Sequence, residues 1–157
     1  MSKVIDERMT ANIEGDFVVF LIGMRVNKLW KVHKWIPSAM SMPKMLKELS
    51  TLPSEETGFL GYTGVGFGVV LQYWRSFEHL ERYARSKEHA HFPEWVAFNK
   101  RMKSNRADVG IWHETYLVKA GQYETVYSSM PPFGLAKASE LVPATGNRNE
   151  ARGRLKT

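Results

Sequence analysis

An α+β domain, with helices on one face of an antiparallel sheet, is what this sequence predicts. Three observations predict it. Residues 17–24 and 67–74 are β-branched and aromatic runs with no polar face, the pattern of strands buried on both sides. Residues 29–49 and 76–105 space many of their apolar side chains at three and four, the period of helices that pack on one side. The two kinds of segment follow one another as β, α, β, β, helices, β and a short β, which is the order of a split βαβ unit, the ferredoxin-like arrangement.

Each element has its own justification. Residues 1–15 are polar and without pattern, and they read as a loosely attached arm before a domain spanning 16–142. The strand at 17–24 leads into a basic helical stretch in which Leu29, Trp30, Val32, His33 and Ile36 fall at helical spacings. Pro37 is expected to break that helix, and Ser38 or Ser41 to cap a second piece with Met42, Met45, Leu46 and Leu49 on its inner face, ended by Pro53. Residues 58–74 read as a hairpin with Phe59, Leu60 and Tyr62 in the first arm and residues 67–74 in the second. The glycine-rich link at 63–68 leads into a strand and is not followed by Lys-Ser/Thr, so it is a turn or bulge and not a nucleotide loop.

Ser76 opens the next helix, with Glu78 in its first turn and Phe77, Leu80 and Tyr83 on one side; His79 stands four residues before Tyr83. A further helix starts near His91, tolerating Pro93 in its first turn, and ends at Asn105, Arg106 and Asp108. Residues 109–120 form the last long strand. One face carries Val109, Ile111, His113, Thr115 and Leu117; the other carries Gly110, Trp112, Glu114, Tyr116 and Val118. A short extended piece follows at 123–127, and residues 143–157 read as a flexible basic tail. With no polar face on two strands, the sheet calls for a second subunit packed against it, so a homodimer is expected.

Composition narrows the function. The chain has 157 residues, enough for one domain with a real core. It contains no cysteine, which removes disulfides, thiolate nucleophiles and Cys-ligated metals and fits the cytoplasm. No signal-peptide pattern opens it, and its longest apolar run is too short to cross a bilayer, so no membrane partner is expected. The formal charge of +6 comes largely from residues 25–34 and the tail. Neither stretch interleaves basic and aromatic residues as a single-strand binder does, so nucleic acid is not the expected partner. Twelve per cent aromatics and eight methionines suit an apolar core or a pocket for a small apolar organic substrate.

The chemistry concentrates between residues 89 and 114, where three of the five histidines fall. On a helix His91 shares a stripe with Trp95, Phe98 and Met102, while His89 points nearly the opposite way. An imidazole facing an apolar cavity is a hydrogen-bonded core residue, a general base or a metal ligand. His113 lies mid-strand; its neighbour Glu114 faces the other side and is a rim or dimer-contact charge or part of a site with Tyr116. No H-E-x-x-H or nucleophile elbow is present.

The run FVVFLIGMR from Phe17, Gly61-Tyr62, Tyr73-Trp74-Arg75-Ser76, residues 91–95 and IWHETY from Ile111 together resemble the monooxygenase-like family of dimeric α+β barrels, related in shape to the antibiotic-biosynthesis monooxygenases. The resemblance spans roughly residues 10–140. More locally, residues 80–86, His91 and Trp112-His113-Glu114 resemble the C-terminal half of haem-containing aldoxime dehydratases. That likeness implies haem b, with His91 or alternatively His89 on the iron, His113 as distal acid/base, and Trp95, Phe98, Met102 and Phe67 lining the porphyrin pocket. Three readings follow. The first is a haem-dependent oxidoreductase or dehydratase-type enzyme. The second is a cofactor-free monooxygenase with His113 as base and Trp74, Trp112 and Tyr116 shaping the pocket; Glu114 and Tyr116 join His113 as the candidate catalytic residues. The third is a non-enzymatic binder of a small ligand or haem.

Overall fold

The computed structural model describes residues 3–87, 93, 96, 97, 99, 100, 103 and 107–155. A short strand β1 (Met9–Asn12) precedes the long β2 (Phe17–Val26). With β3 (Phe59–Gly64), β4 (Val69–Trp74) and β5 (Val109–Val118), β2 forms a sheet in the order β3-β4-β2-β5, with every neighbouring pair antiparallel. The first long strand thus lies between the third and the fourth. This is the ferredoxin-like arrangement read from the sequence.

Helices α1 (Val32–Thr51), α2 (Ser54–Thr57) and α3 (Phe77–Arg85) join the strands. Pro93, Val96, Ala97, Asn99, Lys100 and Lys103 are also helical. One core cluster joins Leu46 and Leu49 of α1 and Leu80 and Tyr83 of α3 to Val18, Phe59 and Trp74 of the sheet. The even-numbered positions of β2 and β4 therefore face the helices, as a period of two requires. Trp74, 1% exposed, packs edge-on to Phe59 at 5.0 Å and tilted against Tyr83 at 5.7 Å.

The odd-numbered face has its own cover. Phe17 and Tyr73 join Ala11, Ile13 and Leu135 in a second cluster, with Val19, Leu71, Tyr123 and Tyr127 against it. Residues 123–142 wrap back over this side and end in β6 (Glu140–Pro143), which pairs antiparallel with β1. The chain itself thus covers much of a face that the sequence assigned wholly to a second subunit. The half under β5 is left open.

Several local expectations are corrected. Helix α1 runs without a break through Pro37 and Pro43. Both prolines are exposed, so carbonyls that lose their N–H partner have water within reach. Ser38 is consequently mid-helix and buried, not a cap. Phe67 and Gly68 belong to the turn between β3 and β4: Gly66 and Gly68 have φ of 128° and 72°, and the Gly68 carbonyl accepts the Met24 N–H at 2.9 Å. The N-terminal arm is tied down through β1. The basic tail continues into a short α4 (Ala151–Arg154), where the buried Arg154 side chain pairs with Glu124. These two attachments involve contacts far apart in sequence, which local composition does not reveal.

Candidate functional site

The helix-facing side of the sheet and the inner faces of α1 and α3 enclose a cavity of about 890 Å³. Phe20, Ile22, Gln72, Trp74, His113 and Thr115 form its floor. Met42, Leu46, Phe77 and Leu80 face them from the helices. A space of this size with apolar walls and few polar groups is what small-molecule sites look like.

His113 comes to the floor because β5 pairs with β2 in the register that sets it opposite Ile22. Its ring lies 5.6 Å from that of Phe20, tilted by 40°. The strand alternation read from the sequence thus holds: Ile111, His113 and Thr115 line the cavity. Glu114 and Tyr116 fall on the other face, where the Tyr116 hydroxyl donates to Glu114 Oε2 at 2.5 Å. That bond, and then the carboxylate's charge, raise the Tyr116 hydroxyl above its ordinary pKa. The three candidate catalytic residues therefore do not converge. Trp112 shares the face of Glu114 and its indole covers Gly23, where a Cβ would strike the ring.

Phe67 lines the cavity from the β3–β4 turn, edge-on to Trp35 at 6.4 Å. His89, His91, Trp95, Phe98 and Met102 lie outside the described residues. His33 is exposed on α1. His79 meets Ser76 Oγ through Nδ1 at 2.9 Å and sits against Gly58, a local contact made by the α3 cap. The Tyr83 hydroxyl donates to Glu48 at 3.0 Å; burial, reinforced by that carboxylate, pushes its pKa upward.

Sequence reasoning missed two polar residues of this cavity. Gln72 stands in an otherwise apolar strand and is buried. Its Oε1 accepts the Trp74 indole N–H at 3.0 Å. Ser38 is buried on α1, and its hydroxyl has no hydrogen-bond partner among the described residues. A lone Gln inside a run of Val, Leu, Tyr and Trp was the available signal for the first. For Ser38 the signal was hidden by the expected break at Pro37.

The basic stretch at 25–34 has a structural explanation. The buried Asp108 carboxylate draws in Lys28 at 2.7 Å, Lys31 at 2.9 Å and Lys34 at 3.2 Å, which pins the start of α1 to the start of β5. These contacts, Lys28 foremost, hold the Asp108 carboxyl far below the usual carboxylate range. Among the described residues, no three of His, Asp and Glu group to hold a metal, and no helix is long and apolar enough to cross a membrane.

The family model described as monooxygenase af470-like matches residues 17–135. This chain belongs to that family. The matched span contains the whole main sheet, α1 to α3 and His113. Membership agrees with the monooxygenase-like resemblance read from the sequence, and with an enzyme that acts oxidatively on a small molecule. Aldoxime dehydratase has a similar fold, with 16% identity and a TM-score of 0.57 over 95% of this chain, although the chain spans only 43% of that protein. SnoaB, a cofactor-independent oxygenase from Streptomyces nogalater, matches at 16% identity and a TM-score of 0.41, over 64% of this chain and 91% of its own. A dimeric, ferredoxin-like protein of unknown function from Bacteroides fragilis matches at 13% identity and a TM-score of 0.37, over 64% of this chain and 94% of its own. Among curated proteins, none matches this chain.

Proposed function

We propose that this protein is a cofactor-free monooxygenase of a mainly apolar small molecule bearing an activated C–H bond, with His113 as the general base. The observation that carries this reading is the position of His113: an imidazole on the floor of an apolar cavity, over the Phe20 ring. Imidazole exchanges protons near neutral pH, and in such a cavity it is suited to take a proton from carbon. The resulting carbanion transfers an electron to O2, and the radical pair combines to a hydroperoxide. Loss of water then turns the substrate CH2 into C=O. One oxygen atom stays on carbon and the other leaves as water, with both protons of the CH2 group, one of them returned by His113. No outside reductant is needed, because the substrate supplies all the electrons.

Two features of the described lining bear on haem b. Its volume and apolar character suit a porphyrin, but no Lys or Arg lies among the lining residues to meet the two propionates. Carboxylates in apolar surroundings require such partners. The described lining therefore does not fit haem. If a helix histidine binds the iron nonetheless, hemin added to the purified protein will give a Soret band that His91→Ala weakens. The expected result is no such band.

The proposal is tested with an oxygen electrode and an activated benzylic ketone as substrate. Stoichiometric oxygen uptake by protein stripped of metals, lost in His113→Gln, supports it. Absence of uptake across a panel of such ketones would sink it and leave a ligand binder. We infer self-association as well, because β5 is an edge strand whose residues 111–117 are exposed on both faces.

A further inference from the structure

Polar groups inside an apolar cavity carry information about what the cavity holds, because an unpaired buried donor is costly unless a ligand meets it. Two residues that line this one carry such groups. Gln72 is 5% exposed at the middle of β4. Its amide orientation is fixed: the Trp74 indole N–H is a donor only, so the atom it meets is the amide oxygen. The amide nitrogen then has two hydrogens, and its partner is the Met42 sulfur at 4.0 Å, a weak acceptor. Ser38, 6% exposed, carries a hydroxyl without a partner. It does not even bond back to the helix carbonyl four residues earlier, as Ser41 does to Pro37 at 3.1 Å. Ser38 lies one turn before Met42 on α1, so the two share a helix face. Ser38 thus lies on the helix face whose Met42 thioether touches the Gln72 amide, and all three residues line the cavity.

We propose that Ser38 and Gln72 form a two-donor subsite that holds a carbonyl oxygen of the ligand, and so act as its specificity and positioning residues. The inference rests on the oxygenase reading only in calling that ligand a substrate. Its position defines the ligand further. Gln72 pairs with Phe20, and His113 with Ile22, on the two edges of β2. Two strand spacings across and two residues along separate the Gln72 and His113 backbones by ~12 Å. A ligand with its carbonyl at Ser38 and Gln72 reaches from there toward the imidazole with its far end. The ligand class is thus a mainly apolar ketone long enough to place its carbonyl at one end of the cavity floor and its acidic C–H at the other.

The test is binding of a matched pair, 1-tetralone and tetralin, to the full chain by isothermal titration calorimetry. The two differ in one carbonyl. The ratio of their affinities within one variant cancels any general loosening of the cavity. Wild-type protein is expected to prefer the ketone by about tenfold, the worth of a pair of modest hydrogen bonds. Ser38→Ala, which loses no native bond, should keep its thermal midpoint and its tetralin affinity while the preference falls to about threefold. Gln72→Met should reduce the preference likewise, and the double variant should abolish it. Equal affinities in wild type, no ketone binding up to its solubility, or a ratio unchanged in both single variants would overturn the subsite. Because no turnover is required, an intact ketone preference without oxygen uptake would reject the oxygenase reading alone.

Discussion

Replacing His113 by glutamine keeps a polar side chain of similar reach on the cavity floor and removes the base. Proton abstraction by a positioned side chain is worth about 10²- to 10⁴-fold in rate, so kcat should fall within that range while KM changes little. Steady-state oxygen uptake measures both, and an unchanged kcat would rule out the imidazole as base. His113 was legible in the sequence because strand alternation alone decides which side it faces. Its separation from Glu114 and Tyr116 followed from the same alternation. The partners of Gln72 and Ser38 were not legible. The indole that fixes the amide of Gln72 and the Met42 thioether that meets it acquire meaning only when α1 lies on β4, which is a tertiary fact. Phe67 was recognised as a cavity residue, but its place in a turn is set by the positive φ of its glycine neighbours.

Helix α1 and strand β5 are joined by a charge cluster with a predictable response to acid. The Asp108 carboxyl lies below its unfolded value because Lys28, Lys31 and Lys34 favour the charged form. Its stabilising contribution is therefore complete above the unfolded pKa of about 3.9, and it is lost as pH falls from there toward the depressed folded value. Thermal midpoints measured between neutral pH and strong acid should drop below pH 4, and Asp108→Asn should lower the neutral midpoint and flatten that drop. A parallel acid profile in the variant would refute the assignment. At the other end of the sheet, Gly58 closes α2 with φ of 69°, its N–H on the Ser54 carbonyl at 2.8 Å, and the His79 ring against its Cα. Gly58→Ala combines backbone strain with a clash and should cost about 1–3 kcal/mol in denaturant unfolding. The long strands and the helix faces could be read from periodicity. The continuity of α1 could not, because proline's local preference was outweighed by the packing of Leu46 and Leu49 on the sheet. Nor could the β1–β6 pairing, made by short strands at opposite ends of the chain.

Over the whole molecule, the sheet is covered unevenly. Helices pack on one face over β2, β3 and β4, and residues 123–142 cover the other beneath β3, β4 and part of β2. The side under β5 is left open, with Trp112 at 39% exposure and Tyr116 at 51%. Large aromatics grouped on an open sheet are a common mark of a protein interface, and the Trp112 indole packs over Gly23. A two-fold axis through this patch would set each copy's Trp112 and Tyr116 against the other's, and the Glu114–Tyr116 bond would lie at its rim or within it. Light scattering at micromolar concentration should therefore give a mass near twice 18.0 kDa. Trp112→Glu places a carboxylate in the centre of the patch and should return the mass to that of one chain without changing the far-UV circular dichroism. A wild-type monomer, or a variant that stays dimeric, would place the interface elsewhere. If dissociation also weakens ketone binding, the second copy reaches past the edge of β5 to the opposite, cavity-facing side, where His113 is itself exposed.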